Sequence, residues 1–227
     1  IAIERPLDVL HLGQEAGFRH LERRRGLQDI RVHLALARGE RRLDLALEQM
    51  QLAQSLDPVS SIVARDLAVI LAYRRDYEAA LEQCDHTIEL NPHFSPAYWA
   101  LGMIQEQRTE LDEALAAFQR AIDLSPQSPR MHAALGRTLA LAGKRSFAAR
   151  SLQKLEAMAK QRYLSPFEFA VVRFSLGQID LGFRWLKKAC EHRAFDVLAL
   201  KVDPRFEELK DDARFHAVLR EIGLSQS

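Results

Sequence analysis

The chain has 227 residues, 48% of them apolar and 28% charged, a composition that agrees with a soluble helical domain. A formal net charge of +1 gives no global field that would recruit nucleic acid or an anionic membrane. No apolar stretch approaches the about 20 residues that a membrane-spanning helix needs, and no signal peptide is visible. In chain order, residues 1–26 keep helical spacing around Leu7, Leu10 and Leu12 and then pass through Glu22-Arg23-Arg24-Arg25-Gly26. They read as an N-terminal capping helix region. The first residue, Ile1 rather than Met, is read as the start of a piece cut from a longer protein.

A period of 34 residues follows. Pro58, Pro92 and Pro126 each close the same kind of phrase: Ser55-Leu56-Asp57-Pro58, Glu89-Leu90-Asn91-Pro92 and Asp123-Leu124-Ser125-Pro126. A small residue recurs at Ala46, Ala80, Ala114, Ala148 and Gly182. Four positions later stand Met50, Cys84, Phe118, Leu152 and Leu186. Earlier in the units lie Leu67-Ala68, Leu101-Gly102, Leu135-Gly136 and Phe169-Ala170, with His33-Leu34 as the weaker match in the first. Five units therefore run in register, 27–60, 61–94, 95–128, 129–162 and 163–196. A fixed period of this length marks a repeat architecture, and the unbroken register argues for one elongated domain.

Each unit reads as two helices. Within 111–124 the apolar residues Leu111, Ala114, Leu115, Phe118, Ala121 and Ile122 fall on one helical face. Ala97 to Gln107 carries its own apolar set at Tyr98, Leu101, Gly102 and Ile104. The Pro after each second helix cannot continue it, and the small residue within that helix lets its partner approach closely. Residues 97–126 resemble a tetratricopeptide repeat (TPR). Tyr98 fills the aromatic slot, Leu101-Gly102 the Leu-Gly slot, and Ala114, Phe118, Ala121 and Pro126 the second-helix slots, while Gln105 stands where Tyr is usual. The resemblance implies an all-α, right-handed solenoid of about five helix-turn-helix repeats with atypical helical caps at both ends. In the fourth unit Lys160 replaces the closing Pro, so its second helix is expected to run to about Gln161 before Ser165-Pro166 restarts the next.

Residues 197–227 read as C-terminal capping helices, one started by Asp203-Pro204 and the other capped by Asp211 or Asp212. Their phrase, Pro204-Arg205-Phe206 through Leu209, then Arg214-Phe215 through Leu219 and a closing Gly223-Leu224, resembles the tail of one TPR group. In that group the repeats form the C-terminal half of bacterial signalling proteins whose other half is a winged-helix transcription regulator, an adenylate cyclase or a protein kinase. The function this implies is a non-catalytic sensing or scaffold module in the cytoplasm. It would bind a protein or peptide segment, including the parent's own N-terminal domain, and would also support self-association. The alternative is an assembly factor or co-chaperone for envelope or secretion proteins.

Motifs for chemistry are missing. There is no Gly-rich phosphate loop, His-Glu-x-x-His, Cys-x-x-Cys or Gly-x-Ser-x-Gly, so neither enzyme activity nor a metal or other cofactor is expected. His86, His93, His132 and His216 lack partners at metal-binding spacing. Cys84 and Cys190 read as core thiols. The basic runs Arg23-Arg24-Arg25, Arg41-Arg42 and Arg74-Arg75 lie at helix ends without interleaved aromatics, so direct nucleic-acid binding is not expected. What remains is the concave face that the first helices of a TPR solenoid line. Carrying over its slots gives Arg65, Tyr73, Trp99, Met103, Glu106, Arg130 and Arg137 as the candidate partner-binding groove, with Phe167 and Val171 beyond them. Trp99 is the anchor candidate, and the arginines could take a partner carboxylate by paired hydrogen bonds. The Lys/Asn pattern of clamps for a chaperone C-terminus is not present.

Overall fold

The structure, a computed structural model, describes residues 40–224. The expected N-terminal cap over 1–26 and the first helix of the unit 27–60, with His33, lie outside the described residues. The described helices are α1 (Glu40–Leu56), α2 (Ser61–Tyr73), α3 (Tyr77–Leu90), α4 (Ser95–Gln107), α5 (Leu111–Leu124), α6 (Pro129–Leu141), α7 (Arg145–Ala159), α8 (Pro166–Ser175), α9 (Ile179–Glu191) and α10 (Ala213–Glu221). Two 3-10 turns, Phe195–Ala199 and Pro204–Leu209, stand between α9 and α10. The described residues contain no strand.

Consecutive helices pack in pairs, α2 on α3, α4 on α5, α6 on α7 and α8 on α9. The first helices of successive pairs also touch, α2 to α4, α4 to α6 and α6 to α8, which stacks the pairs into a solenoid with those helices along one face. Small side chains set the spacing within a pair. Ala80, Ala114 and Ala148 are fully buried. A Cβ placed on Gly102 would stand 2.7 Å from the ring of Phe118, so α4 approaches α5 as closely as only a glycine allows.

The turn inside each pair has a fixed geometry. Arg75, Thr109, Gly143 and Gly177 all adopt positive φ, at 64°, 65°, 72° and 73°. The amide of the next residue reaches back to the helix: Asp76 to Leu71 O, Glu110 to Gln105 O, Lys144 to Leu139 O and Gln178 to Arg173 O. This is the left-handed C-terminal cap that satisfies the last helical carbonyls. Between pairs, the proline carbonyls are used in the same periodic way. Tyr98 Oη donates to Pro92 O at 3.1 Å, and His132 Nε2, one period on, bonds Pro126 O at 2.8 Å.

Two expectations need correction. Helix α7 ends at Ala159 with Lys160 as its C-cap, two residues short of Gln161; Ser165 then caps α8 by accepting from the Phe167 amide. The C-terminal region holds one regular helix, α10, capped by Asp212. The segment begun by Asp203-Pro204 is a 3-10 turn, since a six-residue run anchored at both ends has no room for a developed α-helix.

The core falls into three clusters. One joins α1 to α5, with Met131 and Ala134 of α6. Another joins α6, α7 and α8. The third joins α8, α9, the 3-10 turns and α10 around Phe167, Phe206 and Phe215. Residues 195–209 do more than close the last pair. Val197, Leu200 and Phe206 sit in that third cluster, whereas Ala199 is buried in the first and Val202 packs against it. The C-terminal segment thus folds back over the face formed by the first helices.

Candidate functional site

The candidate residues divide into two groups. Met103 is buried in the first cluster and is core. Glu106 and Arg137 bond each other across adjacent pairs: Arg137 Nε donates to Glu106 Oε1 at 2.8 Å, and Thr138 Oγ1 donates to Oε2 at 2.5 Å. With both carboxylate oxygens occupied, this triad of a half-buried arginine and two buried partners ties α4 to α6. Arg65, Tyr73, Trp99 and Arg130 gather around a small cavity of ≈ 30 Å³ on the inner face.

The sequence did not flag most of what completes that cavity. Glu168 of α8, Asp196 of the first 3-10 turn and Arg205 of the second all line it. Arg130 Nη2 donates to Asp196 Oδ1 at 2.6 Å, its Nε lies 4.0 Å from Glu168 Oε1, and its guanidinium sits 5.3 Å from the Trp99 ring centre. Arg65 pairs with Asp66 at 2.9 Å. Arg205 grips Asp203 with Nε and Nη2, the shortest contact being 2.6 Å, and lies over the Phe167 ring at 5.4 Å. One signal was available: Glu168 directly follows the inner slot Phe167. Asp196 and Arg205 lie outside the repeat slots, and only their fold-back brings them in.

Burial dominates the electrostatics. It pushes the Glu168 carboxyl up to about 7, with Asp196 adding to the rise and Arg130 and Arg205 opposing it. It pushes the Tyr73 hydroxyl well above its ordinary range, helped by Asp203. Burial works against the charge of Arg130, but Asp196 and then Glu168 outweigh it and hold that guanidinium protonated more firmly than usual. Cys84, pushed up to about 12 by burial and Asp85, is a protonated core thiol. The groups around the cavity are therefore ion pairs, a protonated phenol and, in Glu168, a carboxyl that takes up a proton near neutral pH, suited to holding a segment in place. Among the described residues no group of three or more His, Cys, Asp or Glu is placed to hold a metal ion. Among them, too, no helix is long and apolar enough to cross a membrane.

Beside this small cavity lies a wider cleft of ≈ 270 Å³. Trp99 (7% exposed) and Met131 line it with Pro96, Ser128, Phe195 and the arginines Arg65 and Arg130. It combines aromatic and thioether surface with cationic side chains near the starts of α2 and α6.

Residues 65–129 match the family profile described as Tetratricopeptide repeat. The fold is a TPR solenoid. Among solved structures, a thermophilic TPR protein of Thermus thermophilus is similar at TM-score 0.55 and 21% identity, over 79% of this chain and 91% of that one. The APC/C hetero-tetramer Cut9–Hcn1 is similar at TM-score 0.57 and 15% identity, over 82% of this chain and 37% of that one. MamA of Desulfovibrio magneticus RS-1 is similar at TM-score 0.48 and 20% identity, over 54% of this chain and 69% of that one. At these identities the likeness is one of fold. No curated protein matches this chain.

Proposed function

We propose that the chain is a non-catalytic interaction module that takes a peptide or partner segment into the cleft beside Trp99. The observation that carries this reading is the cleft itself: an opening of ≈ 270 Å³ on the first-helix face, with an aromatic floor and flanking arginines. Such a surface suits an apolar side chain next to a carboxylate. TPR solenoids act by presenting extended concave surfaces, and the fold supports the same use here. The setting we infer is the C-terminal half of a bacterial transcription regulator or signalling protein, in the cytoplasm. Its support is the Pro204-Arg205-Phe206 tail phrase, together with two free buried thiols.

The test uses a displayed random-peptide library selected on the full chain, with selected peptides then titrated. Ser128→Trp fills the cleft at a position whose side chain makes no capping bond, so the fold should survive. Trp99→Ala removes the floor. Either change should weaken selected acidic–apolar peptides by about tenfold or more. Peptides that bind both variants as tightly as the wild type would show that the binding surface lies elsewhere.

A further inference from the structure

The inner face is only partly open, because the chain lays its own residues 195–209 across it. Asp196 of that segment sits on Arg130 of α6, Ala199 enters the first core cluster, and Leu200 and Phe206 enter the third. Beside the open cleft, which Phe195 helps to wall, the face therefore already holds an occupant of the expected kind, an acidic residue followed by apolar ones. Several charges meet under the segment. Arg65 has Asp66 at 2.9 Å, Arg130 has Asp196 at 2.6 Å and Arg205 has Asp203 at 2.6 Å. Glu168 is the carboxylate left over. Its side chain is 7% exposed, and Arg130, already engaged by Asp196, is 4.0 Å away.

We propose that residues 195–209 are an autoinhibitory clasp over the binding face, and that protonation of Glu168 holds the clasp shut. The proposal rests on the reading of that face as the binding surface. When the clasp is closed, a charged Glu168 is desolvated beside Asp196; when it opens, the carboxyl returns to water. Around the cavity that Glu168 lines stand Arg65, Asp66 and Tyr73 from α2, Arg130 from α6, Asp196 from the first 3-10 turn and Arg205, with its partner Asp203, from the second. The closed form binds the proton more tightly, with its carboxyl near 7, against about 4.3 for a solvated Glu. Closure is therefore strongest below the solvated value, weakens as pH rises between the two, and levels off once Glu168 is ionised in both forms.

Amide hydrogen exchange on the full chain reads the clasp without any partner. The reporter amides are Leu200, Val202 and Asp203, which donate to Val197 O and Ala199 O. Their protection factors, corrected for intrinsic exchange, should fall on the order of 10- to 100-fold between pH 5.5 and 8. In Glu168→Gln they should stay high and flat, because the neutral amide copies the protonated acid. In Asp196→Asn, with one repelling charge removed, the midpoint should move to lower pH. Protection that is independent of pH in the wild type, or a Glu168→Gln variant that keeps the wild-type slope, overturns the clasp. A failed clasp with intact cleft-dependent peptide binding leaves the binding reading standing, whereas pH-dependent protection without cleft-dependent binding keeps the fold-back switch and overturns its autoinhibitory role.

Discussion

At the scale of single residues, the repeat conceals a conformational requirement that the side chains do not advertise. The four turns at Arg75, Thr109, Gly143 and Gly177 share one left-handed backbone, yet only two of them carry glycine. Thr109 is the most strained, because a β-branched side chain at φ 65° crowds its own backbone. The left-handed state costs a non-glycine residue about 1–2 kcal/mol, and glycine returns about 0.5–1 kcal/mol of that through its freer unfolded chain. The Thr109 hydroxyl bonds only its neighbour's carbonyl, on an exposed turn, so little else is lost. Thr109→Gly should therefore stabilise the protein by about 0.5–1 kcal/mol. Urea denaturation checks this, and a destabilised variant would mean that the turn is held by something other than backbone preference.

At the scale of elements, the regular helices follow the sequence closely and the C-terminal turns do not. The apolar run of 111–124 becomes α5 over those same residues, and the prolines at 58, 92 and 126 fall just past the ends of α1, α3 and α5. Periodicity could reveal this because both the helical period and the repeat period are local. The path of residues 195–209 is set by packing against helices up to about 130 positions earlier, as where Ala199 and Val69 share the first core cluster and line the same cavity, and no local pattern encodes it. Part of the cavity lining was legible for the same reason: Arg65 and Trp99 lie on repeat slots and Tyr73 and Arg130 on the same face, whereas Asp196 and Arg205, with its partner Asp203, arrive by fold-back. Asp203 shows what holds that fold-back in place. It is 1% exposed, accepts the Arg205 amide as an N-cap, and neutralises a guanidinium packed over Phe167. Asp203→Ala would strand the Arg205 charge and should cost about 3–5 kcal/mol. Adding Arg205→Met to that variant should recover part of the loss, since an apolar replacement leaves no buried ion. A double variant no more stable than Asp203→Ala alone would assign the loss to the cap.

At the scale of the whole molecule, the C-terminal segment changes how the stack should unfold. A solenoid whose pairs touch only their neighbours can melt from its ends, pair by pair. Here residues 195–209 join the third core cluster to the first, so these two parts of the described stack share contacts that bypass the second cluster between them. The two tryptophans report on opposite sides of this link. Trp99 belongs to the first cluster, and Trp185, stacked on Phe169 at 4.4 Å, packs against the second and third. In single-tryptophan backgrounds, Trp99→Phe or Trp185→Phe, the two urea transitions should coincide, as two-state cooperativity requires. Leu200 is the fully buried anchor of the segment. Leu200→Ala should cost about 2–5 kcal/mol through the cavity it leaves, and it should also separate the two transitions. Destabilisation with the midpoints still coincident would show that the pair-to-pair interfaces alone carry the cooperativity. Separation would show that the clasp over the proposed binding face is also the tie that makes the solenoid fold as one body, so that opening that face would loosen the whole stack.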